Sequence, residues 1–167
     1  MTWLTILIKG GVMYLAPILA NLETDEGFSG KVYKCPAGYL TIGFGKNLEA
    51  EPLSIEEIRL IFEKQPMTKD QARILLSYKV TSIVEDLNRV LGDSFKNAHP
   101  DAQGVLVNMT YNLGLNGILK FKTSLECFKK QKYSDMARNL EKSLWYKQVG
   151  NRSKRLVKIL DSIGNKG

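Results

Sequence analysis

The sequence is poor in the residues that most catalytic and metal chemistry needs. It has one histidine and two cysteines in 167 residues. Two cysteines, Cys35 and Cys127, do not make a disulfide framework. Neither lies in a CxxC motif or a His/Cys cluster of the kind that ligates zinc. His99 has no second imidazole to share a task with, so a Ser-His-Asp or Cys-His scheme would depend on it alone. It precedes Pro100 in a turn-like stretch and reads as a surface turn residue. Low-complexity segments and internal repeats are also missing. The apolar fraction of 44% and charged fraction of 25% are those of an ordinary globular protein. No metal and no cofactor is expected.

Acidic residues are the minority sign, 17 against 24 basic ones, for a net charge of +7. Such an excess attracts anionic partners over a long range. Nucleic acid, a membrane surface and bacterial cell wall all qualify. The basic residues thicken toward the C-terminus, as Lys142, Lys147, Arg152, Lys154, Arg155 and Lys158. No run is long enough for a nucleic-acid-binding tail, and no nucleic-acid-binding motif is present, so no nucleic-acid partner is expected. The length suits one domain, or two small lobes, with a real core.

Between Trp3 and Leu22 the only charged residue is Lys9. That length matches a membrane span of about 20 residues, but Lys9, Gly10, Gly11 and Pro17 weaken it. A basic n-region and a clear cleavage site are both lacking, which argues against a cleaved secretory signal. Two readings of residues 1–22 stay open. One is a marginal signal-anchor, able to hold the protein transiently at a membrane. The other is an extra helix packed on the body of the protein.

Leu15, Ile18, Leu19 and Leu22 fall at three- and four-residue spacings, one stripe of a helix. Pro17 suits its first turn and Gly27 its C-terminal cap. Then Pro36 and Gly38 supply a turn between β-prone runs, and Leu40, Ile42 and Phe44 alternate as in a strand. A hairpin or three-stranded sheet is expected over about 31–46. Thr68 and Gln71 form a capping-box pattern that opens a long helix closing at Gly92. Its apolar stripe is read as Ile74, Leu75, Tyr78, Ile83, Val84, Leu87, Val90 and Leu91. About 23 residues make a rod near 34 Å long, enough to join two lobes. Residues 94–163 read as short helices broken at Pro100, Gly114, Gly117 and Gly150. They include an apolar central helix over 101–113 and amphipathic helices over 140–148 and 152–163.

Glu26 stands at a helix end, beside a glycine and ahead of the hairpin. Cys35 follows nine positions later at the turn, and Thr41 six positions after that in the return strand. Glycosidic cleavage needs a proton delivered to the leaving oxygen and a second group acting on the other side. Glu26 has the chemistry of the acid, given surroundings that raise its pKa.

Residues 25–45, with Glu26, Cys35 and Thr41 at those intervals and Gly27, Tyr33, Lys34, Gly38, Tyr39, Ile42, Gly43 and Gly45 around them, resemble the signature of the phage-type lysozymes, glycoside hydrolase family 24. Residues 139–156, with Trp145, Tyr146, Gln148, Asn151, Arg152, Lys154 and Arg155, are similar to that family's C-terminal segment. Residues 107–125 resemble its central helix and the following turn. The resemblance spans about residues 18–160, a single lysozyme-like catalytic domain.

It implies an α+β fold, with a small N-terminal β-sheet lobe and a mostly helical C-terminal lobe joined by a long helix. It implies a muramidase cleaving the MurNAc-β-1,4-GlcNAc bond of bacterial peptidoglycan by acid-assisted hydrolysis. Such an enzyme is a monomeric endolysin made in the host cytoplasm and acting on the wall from the periplasmic side. By resemblance, Glu26 is the general acid, Arg152 the arginine that pairs with it, and Thr41 the residue holding the attacking water. Tyr111, Asn112 and Trp145 match positions at the substrate cleft. Asn112 is the better candidate for sugar contact, and Trp145 for packing. Many relatives carry Asp where this chain has Cys35. A thiol of ordinary pKa, about 8.5, is mostly protonated near neutrality. Three roles for Cys35 stay open, in the order water positioning, thiolate base and nucleophile. Both thiols are expected to be free. Lys46, where several relatives have His, is expected to be structural. The alternative to an active enzyme is a lysozyme-fold wall-binding or virion module whose activity is weak or lost.

Overall fold

A computed structural model describes residues 5–8, 11–50 and 52–164. The chain opens with strands β1 (Thr5–Ile8) and β2 (Gly11–Tyr14), paired antiparallel. This corrects the extra-helix reading over those residues. Apolar runs as short as these two show no period that separates a strand from a helix segment. Residues 1–4, 9 and 10 lie outside the described residues. Among the described residues no helix is long and apolar enough to cross a membrane.

Helix α1 (Ala16–Glu26) follows, with Pro17 in its first turn. Its stripe of Ile18, Leu19 and Leu22 is buried, and Gly27 ends it at a φ of 67°. A three-stranded antiparallel sheet comes next, in the order β3 (Ser29–Lys34), β4 (Leu40–Gly43) and β5 (Lys46–Asn47). Tyr33 pairs with Thr41 and Lys34 with Leu40, with a shift of register between Ser29 and Tyr33. Helix α2 (Ile55–Phe62) is held by a complete capping box between Ser54 and Glu57.

Helix α3 (Lys69–Leu91) is the long rod. Gln71 N–H donates to Thr68 Oγ1 at 3.2 Å, and Thr68 N–H donates back to Gln71 Oε1 at 3.0 Å. Its buried stripe is Ala72, Leu75, Leu76, Val80, Ile83, Val84, Leu87 and Leu91. Ile74, Tyr78 and Val90 are exposed, a correction to the expected stripe. They stand off the three- and four-residue ladder that the buried set keeps.

Short helices complete the chain: α4 (Asp93–Lys96), α5 (Pro100–Ile118), α6 (Lys122–Lys129), α7 (Tyr133–Glu141), α8 (Leu144–Val149) and α9 (Asn151–Gly164). α5 bends at Gly114, whose φ is 71°. His99 caps α5, its Nδ1 accepting from Asp101 N–H at 3.2 Å, so it is the turn residue expected. The expected single helix over 140–148 is instead the end of α7, a break, and α8. Ser143 makes the break by capping α8, accepting from Tyr146 N–H at 3.1 Å.

The fold is α+β, a small sheet with a mostly helical body. It divides into two compact units. One is Leu15–Thr81; the other joins the described residues up to Tyr14 with those from Ser82 onward. α3 contributes residues 69–81 to the first unit and 82–91 to the second. In the second unit Leu106, Phe128, Met136 and Leu140 are fully buried.

Candidate active site

Glu26, Cys35 and Thr41 all belong to the 15–81 unit. Glu26 is the last residue of α1 and is half-buried. One turn earlier, Glu23 takes a two-pronged grip from Arg73 of α3, at 2.7 Å from Nε and 3.1 Å from Nη2. Arg73 is also held by Asp70 at 2.9 Å. This fork ties the end of α1 to α3, and a bidentate pair fixes geometry as well as adding energy. The turn between β4 and β5 passes against Glu26. A Cβ on Gly45 would lie 3.1 Å from Glu26 Oε2 and 3.8 Å from its Cβ and Cδ. Gly45 also has a φ of 81°, which side chains rarely tolerate. The glycine is what lets the backbone reach the carboxyl.

Cys35 opens the β3–β4 turn. Gly38 N–H donates to Cys35 O at 2.8 Å, and Cys35 N–H donates to Tyr39 O at 3.0 Å. Pro36 occupies the second turn position and Gly38, at a φ of 90°, the fourth. Burial pushes the Cys35 thiol up. Hydrogen bonds from the Tyr39 and Ala37 backbone, the Thr41 side chain and the Gly38 backbone outweigh that and hold it below the ordinary thiol value. Thr41 is buried on the central strand, and its hydroxyl donates to Tyr39 O at 3.0 Å. Cys35 N–H and the Thr41 hydroxyl thus share the Tyr39 carbonyl as acceptor.

Lys46, one residue past Gly45, donates to Glu57 Oε1 at 2.6 Å with both side chains largely buried. It acts structurally, clamping β5 to α2. Phe28 and Phe44 pack with ring centroids 5.4 Å apart, and Lys69 Nζ sits 5.8 Å from the Phe28 ring.

The remaining expected residues belong to the other unit. Trp145 is buried, and its indole N–H donates to Asn112 Oδ1 at 3.0 Å. Phe121 meets the indole edge-on at 6.3 Å. Trp145 thus packs, as preferred from sequence, and orients Asn112. Asn112 itself is exposed on α5, and Tyr111 beside it is half-buried. Arg152, in the first turn of α9, is half-buried and anchored on Asn108. Its Nε donates to Asn108 Oδ1 at 2.8 Å and its Nη2 to Asn108 O at 3.1 Å.

Asn108 was missed. It is 1% exposed in an otherwise apolar run from Val105 to Met109. A lone amide there is a signal, because a buried polar side chain must find partners. Cys35 and Cys127 are both free of disulfides. Among the described residues no group of three or more His, Cys, Asp or Glu side chains is placed to hold a metal ion.

The profile of the Phage lysozyme family matches residues 23–159. The chain is 28% identical over 155 residues to "Probable T4-type lysozyme 1" of Dictyostelium discoideum, covering 84% of this chain and 91% of that protein. "Probable T4-type lysozyme 2" of the same organism is 26% identical, with the same coverage. The pre-baseplate central spike protein Gp5 of Enterobacteria phage T4 is 26% identical over 152 residues, which are 83% of this chain but only 26% of that protein. The chain belongs to the phage lysozyme family, enzymes that hydrolyse peptidoglycan.

Proposed function

We propose that the chain is a phage endolysin that cleaves the MurNAc-β-1,4-GlcNAc bond by acid-assisted hydrolysis. Glu26 is the proton donor to the leaving oxygen. Thr41 and Cys35 orient the attacking water, and Asn112 and Tyr111 contact the glycan. Arg152 supports the acid, as the family resemblance implies. The observation that carries this reading is the seating of Glu26. A helix-terminal carboxyl is pressed by a glycine turn, in one unit with a cysteine and a threonine whose backbone N–H and hydroxyl share the Tyr39 carbonyl. A general acid and a water-orienting group are the parts that glycosidic hydrolysis requires. The wall-acting role and transient membrane association of the N-terminus belong to the same proposal.

A turbidity assay on peptidoglycan with wild type, Glu26→Gln, Cys35→Ser and Cys35→Asp tests it. Glu26→Gln abolishes clearing. Full activity in Cys35→Ser removes the thiolate roles and leaves water positioning, while Cys35→Asp retains activity if a base is useful there. One observation favours a second reading, a virion component: the spike protein Gp5 contains a region similar to this chain. A wild-type protein that binds walls without clearing them would decide for it.

A further inference from the structure

Every charged side chain of α1 is acidic, and all of them fall in its last turn. Glu23, Asp25 and Glu26 stand there, and the helix has no lysine, arginine or histidine. That sign is wrong for the position. The carbonyls at a helix C-terminus carry a partial negative charge, which favours cations in the last turn and disfavours carboxylates. The bond that closes α1 is also long, with Gly27 N–H donating to Glu23 O at 3.3 Å. Left to its own charges, this turn would fray. Yet it carries Glu26, the carboxyl whose placement the β4–β5 turn depends on.

The missing cation comes from α3. Arg73 Nε and Nη2 donate to the two Glu23 oxygens at 2.7 and 3.1 Å, and its Nη1 donates to Asp70 at 2.9 Å. All three guanidinium nitrogens are engaged. Asp70 lies in the first turn of α3, where the positive end of the helix suits a carboxylate, and it aims the guanidinium from one turn away. Glu23 is thus gripped at both ends, its carbonyl by the cap and its carboxylate by the fork. Four other pairs, Arg89–Asp86, Lys96–Asp93, Lys129–Glu126 and Arg138–Asp135, each join residues three apart on one helix. Such pairs cannot hold one element against another. The Arg73–Glu23 pair joins two helices across 50 residues. With Arg73 47% and Glu23 20% exposed, solvent screens it and its effect on global stability is small. Its leverage is local, on the one turn that the charges of α1 oppose.

We propose that Arg73 is a positioning residue for the hydrolysis, supplying the cation that the last turn of α1 lacks and so keeping Glu26 in place against the β4–β5 turn. The inference rests on Glu26 being the general acid.

The test uses the full chain and two readouts. Steady-state rates on soluble, uncross-linked peptidoglycan fragments separate kcat from KM. Arg73→Met should lower kcat by about three- to tenfold, since a misplacement near 1 Å costs on the order of 100-fold and this one is a fraction of that. KM should stay within about twofold, because an interaction that seats the acid is expressed in the transition state. The charge-swapped double variant Glu23→Arg, Arg73→Glu bridges the same gap with the same two side chains in reverse, and should return kcat to within about twofold of wild type. Arg89→Met, which breaks the exposed pair with Asp86, should leave kcat unchanged. The second readout, amide exchange by NMR, needs no substrate. Exchange at Gly27 should quicken by about two- to fivefold in Arg73→Met, the size of one exposed ion pair, and slow again in the swapped variant. Unchanged Gly27 exchange, a wild-type kcat in Arg73→Met, an equal fall in Arg89→Met, a rise in KM at constant kcat, or a swapped variant no better than Arg73→Met would overturn the proposal. Wild-type clearing by Glu26→Gln would instead overturn the assignment of the acid, and Gly27 exchange would still judge the hold of Arg73 on α1.

Discussion

Replacing Gly45 by alanine separates the seating of Glu26 from the general stability of the sheet. The substitution has two effects. The backbone at a φ of 81° disfavours any L side chain by about 1–2 kcal/mol. The new methyl would also stand 3.1 Å from Glu26 Oε2, inside the roughly 3.5–4.0 Å at which non-bonded carbon contacts are optimal. Either the carboxyl or the β4–β5 turn must give way by a few tenths of an ångström. A misplacement near 1 Å costs on the order of 100-fold in rate, so this smaller shift should cost about three- to tenfold. Gly92→Ala is the control, since Gly92 also has a positive φ, 54°, but nothing lies within 4 Å of its added Cβ. Urea denaturation should show both variants less stable by about 1–2 kcal/mol. Peptidoglycan clearing per folded molecule should fall only in Gly45→Ala. A wild-type rate in Gly45→Ala, or an equal fall in Gly92→Ala, would refute the argument that this glycine seats the acid.

Three further outcomes are expected. Glu57→Gln keeps a residue able to cap α2 but removes the charge that Lys46 meets, and should destabilise by about 1–3 kcal/mol near neutrality. Burial pushes the Glu57 carboxyl up, but the Lys46 bond, the Ser54 backbone and the charges of Lys46 and Lys79 outweigh it and hold it below the ordinary range. Its contribution is therefore complete above the usual carboxylate value of about 4.3 and is lost as pH falls through the lower folded value. The gap between wild type and variant, read by urea denaturation, should stay level down to about pH 5 and close in stronger acid. Asn108→Ala deprives the half-buried Arg152 of its Nε acceptor and should destabilise by about 1–3 kcal/mol in the same assay; a neutral effect would mean that this anchor is dispensable. In a Cys127→Ala background, alkylation of Cys35 should reach half-maximal rate below the ordinary thiol value of about 8.5, and Thr41→Val should move that midpoint upward. A wild-type midpoint at or above 8.5 would contradict the turn's hold on the thiol.

The parts of the fold that could be read from sequence are those set by local chemistry. α1 announces itself by Pro17, the Leu15–Leu22 stripe and Gly27; α3 by the Thr68–Gln71 box; the hairpin by Pro36 and Gly38. The same rules would have found α2, because Ser54 and Glu57 carry a capping box just as plain. β1 and β2 were hidden for a physical reason. Each is a run of only four residues, too short for a period to tell a strand from a helix segment, and strand pairing depends on a partner segment more than on the segment itself. The stripe of α3 was blurred by Ile74 and Tyr78, exposed apolar residues of a kind that every surface carries. Within the site, spacing connected Cys35 to Thr41 because a hairpin makes a sequence interval into a distance. It had no means of bringing Gly45 to Glu26, since a contact between a turn and a helix end is tertiary. Asn108 was legible only as an anomaly, and its partner Arg152 stands 44 residues away.

The proposed water-activating half of the reaction turns on a single hydroxyl proton. Thr41 Oγ1 donates it to Tyr39 O, and that carbonyl also accepts Cys35 N–H. The carbonyl therefore keeps a partner if the hydroxyl rotates away, so turning the proton toward sulfur or toward a water leaves no buried acceptor empty. With the thiol protonated, the hydroxyl can stay on Tyr39 O and offer its lone pairs. With a thiolate, it can donate to sulfur, which is how it helps to hold the thiol below its usual value. Thiolate nucleophilicity falls as thiol pKa falls. A sulfur held this way is available as an acceptor but weakened for attack on carbon. That asymmetry ranks the three roles of Cys35 on physical grounds: orienting water needs only an acceptor with a reorientable neighbour, base catalysis needs the thiolate as well, and displacement at carbon needs the nucleophilicity that the turn takes away.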